Sequence, residues 1–148
     1  TPSQAMKILC FQARHFGWKS FSKTLDETSG AQVDDVTVCD ELKDCVVVFA
    51  QAEIEDESDD ERTRVFRHTL KHIKWLANKR DYKNVVLHSF AHLGGINATP
   101  AFAQTLLRDL AERLTSTGYT VKSTPFGYFC EWQIDVHGES LAKVYKQI

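Results

Sequence analysis

A glycine-rich loop at residues 90–98, which read FAHLGGINA, combines residue types that could carry chemistry. It follows a predicted buried strand and precedes a predicted helix that begins at Thr99, and loops at such strand ends commonly hold ligands. Backbone N–H groups beside Gly94 and Gly95 can hold an anion or a developing oxyanion, with His92 close by. The alternative is a tight turn with a hydrogen-bonded histidine, and the spacing alone favours this alternative.

A second candidate is the aromatic turn at residues 125–129, which read PFGYF. Aromatic side chains carried on a Pro/Gly turn are suited to stacking on a nucleic-acid base. The same residues are equally suited to form a hydrophobic lid, so both interpretations stay open.

A third candidate is a helix flank on which His68 and His72 lie one turn apart, beside Trp75 and Lys79. Two histidines at this spacing can hold zinc, but the HExxH glutamate and a clear third ligand are missing, so no metal site is predicted. The flank is interpreted as a contact surface for RNA, a partner or a second copy, or as an ordinary solvated face. Walker, GxGxxG and GxSxG motifs are absent as well, so no cofactor is predicted.

Hydrophobic periodicity predicts the elements that must position these residues. Residues 53–61 are rich in carboxylates and residues 62–83 are rich in Lys and Arg, which complements the dipole of one long helix. Residues 14–24 are expected to form a covering loop or a short edge strand. The other predicted elements are strands at 6–13, 34–39, 45–54, 85–89, 119–123 and 129–136, and helices at 99–117 and 139–147.

This order predicts one α/β domain with a mixed β-sheet, two long helices and a short C-terminal helix. The strand before each long helix should run parallel to the strand after it, through a right-handed crossover. The single domain is expected to span residues 6–148. Residues 1–5 are expected to be a remnant that precedes the natural start at Met6.

Composition excludes several classes of protein. The 148 residues are 43% hydrophobic and 26% charged, with a net charge of −2, which is typical of one folded domain. No apolar run approaches the ~20 residues of a membrane span, so no membrane association is expected. The near-neutral balance argues against nucleic-acid binding by bulk charge, although not against a site that grips one RNA end. Four scattered cysteines without a Cys-x-x-Cys pair are typical of reduced core thiols in a cytoplasmic protein.

Three segments together resemble the N-terminal editing domain of archaeal-type threonyl-tRNA synthetases. They are SFAHL at 89–93, TPFGYF at 124–129 and GESLA at 138–142. The resemblance implies a D-aminoacyl-tRNA deacylase-like fold, often a homodimer, and a partnership with the 3′ end of aminoacyl-tRNA and with a threonyl-tRNA synthetase. It also implies hydrolysis of serine mischarged on threonine tRNA, with main-chain groups and the RNA's own 2′-hydroxyl sharing the catalysis.

Carried over residue by residue, the resemblance implies a substrate site on three segments. Glu53 matches the family's strand-end carboxylate, and Ala52 stands where the family often has a larger aliphatic residue. His92 is predicted to hold the ribose or the water. The other residues that match the family's loop and turn are Ala91, Phe126, Gly127 and Tyr128.

The sequence also departs from the family at important positions. The family usually has a Tyr-Lys pair after the turn, but here Phe129 and Cys130 occupy these positions, and the lysine held important for activity is missing. The family's glutamate on the last helix appears as Lys143, which we expect to supply a basic group to the same site. An alternative is therefore a non-catalytic aminoacyl-tRNA-binding or dimerisation module.

Overall fold

The computed structural model describes residues 6–148, except for the side chain of residue 27. The expected remnant, residues 1–5, lies outside the described part. The strands are β1 (Lys7–Lys23), β2 (Cys39–Gln51), β3 (Asn84–Ser89), β4 (Thr120–Ser123), β5 (Tyr128–Val136) and β6 (Lys143–Gln147), and the α-helices are α1 (Asp59–Asn78) and α2 (Pro100–Ser116).

The strands form one mixed sheet in the order β4-β3-β2-β1-β5, and β6 also pairs with β1. β2 and β3 are parallel, as are β3 and β4, with α1 and α2 as the two connections. β1 pairs antiparallel with β2, β5 and β6. The predicted mixed sheet and its two parallel crossovers are confirmed.

Helix α2 begins at its cap residue Thr99 as predicted, whereas α1 begins at Asp59, after the predicted start in the carboxylate-rich stretch, where residues 54–57 form a 3₁₀ helix. The Ser58 side chain accepts a hydrogen bond from the Glu61 amide at the start of α1, and Thr99 accepts one from Phe102 at the start of α2. Apolar residues at helical spacing then bury one face of each helix against the sheet. The buried residues of α1 are Val65, Thr69, Leu70, Ile73, Leu76 and Ala77, and those of α2 are Leu106, Leu110 and Leu114.

The opposite face of the sheet carries a second, aromatic core that includes Phe16, Trp18 and Phe49. Along β1, the partner of Phe49 and the partner of Trp132 are nine residues apart, which is about 30 Å of extended strand. The rings of Phe49 and Trp132 are nevertheless only 4.8 Å apart. The sheet therefore curls strongly, with bulges in the β1–β5 pairing, so that β5 folds over the end of β2.

Three sequence expectations about secondary structure are wrong. Residues 34–38 have no regular secondary structure and β2 begins only at Cys39, so the strand predicted at 34–39 does not form. Residues 14–24 were expected as a loop or short edge strand, but β1 continues to Lys23 because β2 and β5 pair with its two edges. The predicted C-terminal helix at 139–147 is a 3₁₀ turn, Ser140–Ala142, followed by β6. β6 satisfies the backbone of β1 at its first residues, and Val144 packs into the main core, so tertiary pairing overrides the local helical pattern.

Within residues 6–148, neither helix combines the length and the apolar character needed to cross a lipid bilayer.

Candidate active site

A cavity of about 600 Å³ lies where the glycine-rich loop and the aromatic turn meet. The carboxyl ends of β2 and β3 form its floor, the start of α2 closes one side, and the start of β5 closes another. Ligand sites in open α/β sheets occupy this position, beyond the carboxyl ends of parallel strands.

The sequence-predicted residues converge on this cavity to a large extent. The two motifs lie far apart in the chain, but the parallel β2–β3 pair and the curl of β5 bring them together. The predicted residues that line the cavity are Ala52, Ala91, His92, Phe126, Gly127, Tyr128, Phe129 and Cys130.

The glycine-rich loop is tied firmly to the end of β2. The Leu93 backbone amide donates to Gln51 Oε1 at 2.7 Å, and the Gln51 side-chain Nε2 donates to the carbonyl oxygen of Gly94. The Phe90 backbone amide donates to the Ala50 carbonyl oxygen, and the Ala98 backbone amide donates to the Ala52 carbonyl oxygen, both at 2.9 Å. The loop is therefore a rigid wall, and the amide of Leu93 is already occupied.

Glu53, predicted as a substrate contact, points away from the cavity and is fully buried. Its carboxylate forms an ion pair with Lys7 and accepts a hydrogen bond from Gln51 Nε2 at 3.3 Å. A Cβ built on Gly95, which has a φ of +72°, would lie 2.7 Å from the Glu53 Cδ. Glu53 thus supports the loop from beneath, because glycine at position 95 lets the backbone approach the carboxylate closely.

The aromatic turn is held in place through its own backbone and one hydroxyl. Gly127 has a φ of +82°, and its carbonyl oxygen accepts a hydrogen bond from the Thr24 amide at 2.7 Å. The Tyr128 hydroxyl donates to the Asp34 carbonyl oxygen at 2.8 Å and accepts from the Val36 amide at 3.0 Å. The Tyr128 hydroxyl therefore orders a neighbouring segment, whereas Phe126 and Phe129 offer apolar surface to the cavity.

His88 is a cavity residue to which sequence analysis assigned no role. Its Nδ1 lies 2.7 Å from Thr124 Oγ1, and its ring packs 5.2 Å from that of Trp132. Burial lowers the pKa of His88 to about 4, so the imidazole is neutral near pH 7. The sequence signal that could have identified His88 is a single histidine within the otherwise apolar strand sequence VVLHS, residues 85–89.

We expect His88 to make folding stability depend on pH. In the unfolded chain the pKa of His88 is about 6.5, so between about pH 6.5 and pH 4 the unfolded state binds a proton at His88 and the folded state does not. Its contribution to the free energy of unfolding is complete above about pH 6.5 and falls by roughly 2–3 kcal/mol by about pH 4.5. Urea unfolding of the wild type and of His88→Asn at both pH values measures this, and the wild type should lose more.

Asp56 titrates in the same pH range as His88 and changes the stability in the opposite direction, so the wild type has to be compared with His88→Asn. Burial raises the pKa of Asp56 to about 6, so the folded state protonates first and stability rises as pH falls through that value. This opposing contribution is shared by wild type and variant and cancels in their difference. Parallel pH dependences of the two proteins would contradict the assignment for His88.

Cys130 and Lys143 do not form the basic site that the sequence suggested. Cys130 lines the cavity, but burial raises the pKa of its thiol, so it is not an activated nucleophile. Lys143 is exposed and is not among the residues that line the cavity, and its Nζ lies 3.5 Å from the Gly138 carbonyl oxygen. The structure therefore does not bring Lys143 to the position of the missing lysine, and its part in catalysis stays a prediction.

His92 lies at the exposed rim of the cavity, with its ring 5.4 Å from that of Phe90. No three His, Cys, Asp or Glu side chains within residues 6–148 are grouped as a metal ion would require. The lining of the cavity offers peptide amides, an imidazole and aromatic surfaces to a bound molecule.

The fold is a mixed α/β fold of the D-aminoacyl-tRNA deacylase type, as predicted. The structure is similar to that of c-Myc DNA Unwinding Element Binding Protein, with a TM-score of 0.63 and 11% sequence identity over 96% of this chain and 98% of the other. Residues 6–148 match the model of the archaea-specific editing domain of threonyl-tRNA synthetase, and the chain belongs to that family of tRNA-editing domains.

Archaeal threonine–tRNA ligases are similar to this chain. The ligase of Methanocaldococcus jannaschii is 27% identical over 145 residues, which cover 97% of this chain and 22% of the ligase. The ligase of Thermococcus onnurineus is 32% identical over 107 residues, which cover 72% of this chain and 17% of the ligase. The chain thus spans about a fifth of the length of these relatives.

Proposed function

We propose that this domain hydrolyses the ester of serine mischarged on threonine tRNA. The observation that carries the proposal is the cavity between the glycine-rich loop and the aromatic turn, in a chain that belongs to a family of tRNA-editing domains. Its volume of about 600 Å³ suits a small amino acid joined to the terminal adenosine.

In the proposed reaction, water adds to the acyl carbon and an oxyanion forms. The bond from that carbon to the ribose oxygen then breaks, and the ribose oxygen takes the proton that the water releases. The Leu93 amide is occupied, so we assign stabilisation of the oxyanion to the amides of Ala91 and His92. One good donor of this kind contributes about 3–4 kcal/mol to the transition state.

The other side chains are assigned to orientation. The His92 ring at the rim holds the attacking water or the ribose. The exposed ring of Phe129 and the half-buried ring of Phe126 offer faces on which the terminal adenine stacks, worth about 1–3 kcal/mol. The neighbouring 2′-hydroxyl of the RNA assists, as the family resemblance implies.

Selection of serine over threonine requires a wall that collides with one extra methyl group. Binding alone separates such a pair by about 1–3 kcal/mol, which is why a hydrolytic second step is useful. Ala52, nearly buried at the end of β2, is the wall residue to which we assign this role, and its small side chain leaves the exclusion relaxed.

We expect seryl-tRNA(Thr) to be deacylated faster than threonyl-tRNA(Thr). Ala52→Val should narrow the amino-acid pocket and raise the ratio of the seryl to the threonyl deacylation rate about tenfold. Rates measured side by side with wild type and variant test both expectations. Ala101→Val, a substitution on α2 that does not line the cavity, is the matched control. If the wild type turns over neither ester, the enzymatic proposal is wrong.

A second candidate is a domain that binds aminoacyl-tRNA without hydrolysing it. The specific observation in its favour is Cys130, a protonated and partly buried thiol where the family usually has a lysine. This candidate predicts that a non-hydrolysable seryl-adenosine mimic binds at the cavity while the deacylation rate stays at that of buffer.

For assembly, we propose a homodimer that associates with a threonyl-tRNA synthetase in the cytoplasm. Among the described residues β5 pairs with β1 alone, and it leaves two large apolar side chains of one face, Trp132 and Ile134, partly exposed, a combination that favours burial against a partner. A monomeric mass in sedimentation at micromolar concentration would contradict the dimer.

A further inference from the structure

A second depression lies on the outer side of the molecule, between α1 and β6. We call it the α1–β6 groove, and its volume is about 380 Å³. None of the residues that line it lines the candidate active site. Its principal residues are His68, Lys71, His72 and Trp75 of α1 and Lys146 and Gln147 of β6.

The groove concentrates cationic groups in a chain whose net charge is −2. Among the described residues no Asp or Glu side chain lines it, and Ile148 completes the lining; the acidic residues of α1 are confined to its first turn, Asp59 to Glu61. Lys71 and Lys146 face the same depression from two different elements. A depression with this charge is complementary to a polyanion.

One wall of the groove is formed by an exposed tryptophan side chain, that of Trp75. The Trp75 side chain is 44% exposed, its ring stacks 5.8 Å from that of His72, and the Lys79 ammonium lies 5.4 Å from its centroid. The Nε2 atom of His72 is buried and has no hydrogen-bond partner among the described residues. The stacked rings of His72 and Trp75 give the groove an aromatic wall beside its two lysines.

The position of the groove relates it to the candidate active site. Lys7 of β1 is opposite Gln51 on one side and opposite Gln147 on the other. Gln51 lines the cavity and Gln147 lines the groove, so their backbones are two strand spacings apart, or about 10 Å. The two sites therefore approach each other across β1 at this level of the sheet.

We propose that the α1–β6 groove binds the sugar-phosphate backbone of the RNA whose acylated end enters the cavity. This inference rests on the proposed function, because it takes the RNA to be an aminoacyl-tRNA. Contacts to phosphate by Lys71 and Lys146 position the RNA without reading its sequence. The proposed contact with the stem explains how a nearly neutral domain holds a large anion.

The test is fluorescence anisotropy of the full chain with a labelled, uncharged RNA hairpin that carries an acceptor stem and a CCA end. We expect Lys71→Gln and Lys146→Gln each to weaken binding about threefold or more and to reduce the slope of log affinity against log salt by about 1. The matched control is Lys43→Gln, an exposed lysine eight positions before Gln51 on β2, which should leave both quantities unchanged.

Equal affinity and equal salt slope for the groove variants and the control would overturn the proposal. A Trp75→Ala variant that changes the sedimentation coefficient of the protein without changing RNA affinity would overturn it too, by assigning the groove to contact between copies. Because the RNA is uncharged, the result does not depend on ester hydrolysis. Failure of deacylation and failure of groove binding are thus distinguishable.

Discussion

Substitution of Lys7 by methionine is expected to lower the free energy of unfolding by about 3–5 kcal/mol. Lys7 is 6% exposed and forms an ion pair with Glu53, which is fully buried. The Glu53 Oε2 atom has no hydrogen-bond partner among the described residues, so Lys7 supplies most of the compensation for the buried charge. Without the ammonium, the Glu53 Oε1 atom keeps the hydrogen bond from Gln51 Nε2 but loses its counter-charge.

Urea unfolding near pH 7 measures the effect, and two further variants interpret it. Lys7→Met combined with Glu53→Leu removes both charges and should recover most of the lost stability, because an apolar pair of similar volume is tolerated where one charge is not. Lys43→Met changes an exposed lysine and should stay within about 0.5 kcal/mol of wild type. A double variant no more stable than Lys7→Met would contradict the explanation by an unpaired charge.

Gly95→Ala is expected to reduce deacylation about 100-fold, the loss that a displacement of about 1 Å in an active-site wall can cause. The added Cβ would collide with the carboxylate of Glu53, which Lys7 and the surrounding core hold in place. The loop that carries Ala91 and His92 must therefore move outward. The amides assigned to the oxyanion then lose their position relative to the ester.

Gly94→Ala is the matched control for this substitution. Gly94 also has a positive φ, +95°, so alanine costs about 1–2 kcal/mol of backbone strain at either position. A Cβ at Gly94 meets no atom within 4 Å, so we expect stability to fall while deacylation stays within about threefold of wild type. Equal losses of activity in the two variants would show that strain alone, and not displacement by Glu53, is responsible.

The sequence predicted the parts of the fold that local signals determine. The long apolar stripes of α1 and α2 and the start of α2 at Thr99 are signals of this kind, and two helices between apolar strands imply parallel crossovers. β6 was missed because residues 143–147 are short and become a strand only by pairing with β1. The full length of β1 was missed for the same reason, since its second half depends on β5.

In the candidate site, too, some features follow from local sequence signals and others depend on tertiary contacts. Residues of the two turns converge as expected because their segments follow adjacent parallel strands or pair across β1. Side-chain direction could not be predicted: Glu53 points into the core toward Lys7, and Lys143 lies at the other end of β1 from Cys130. The role of His88 depends on burial against Trp132, a contact that the curl of the sheet creates.

The central claim is that the cavity between the glycine-rich loop and the aromatic turn receives the acylated end of a tRNA. The most direct measurement is a crystal structure of the full chain with a non-hydrolysable seryl-adenosine mimic. We predict the seryl group beside Ala52, the adenine against Phe126 or Phe129, and the acyl oxygen within about 3 Å of the Ala91 or His92 amide. A mimic bound elsewhere, with this cavity filled by the protein's own aromatic rings, would contradict the account.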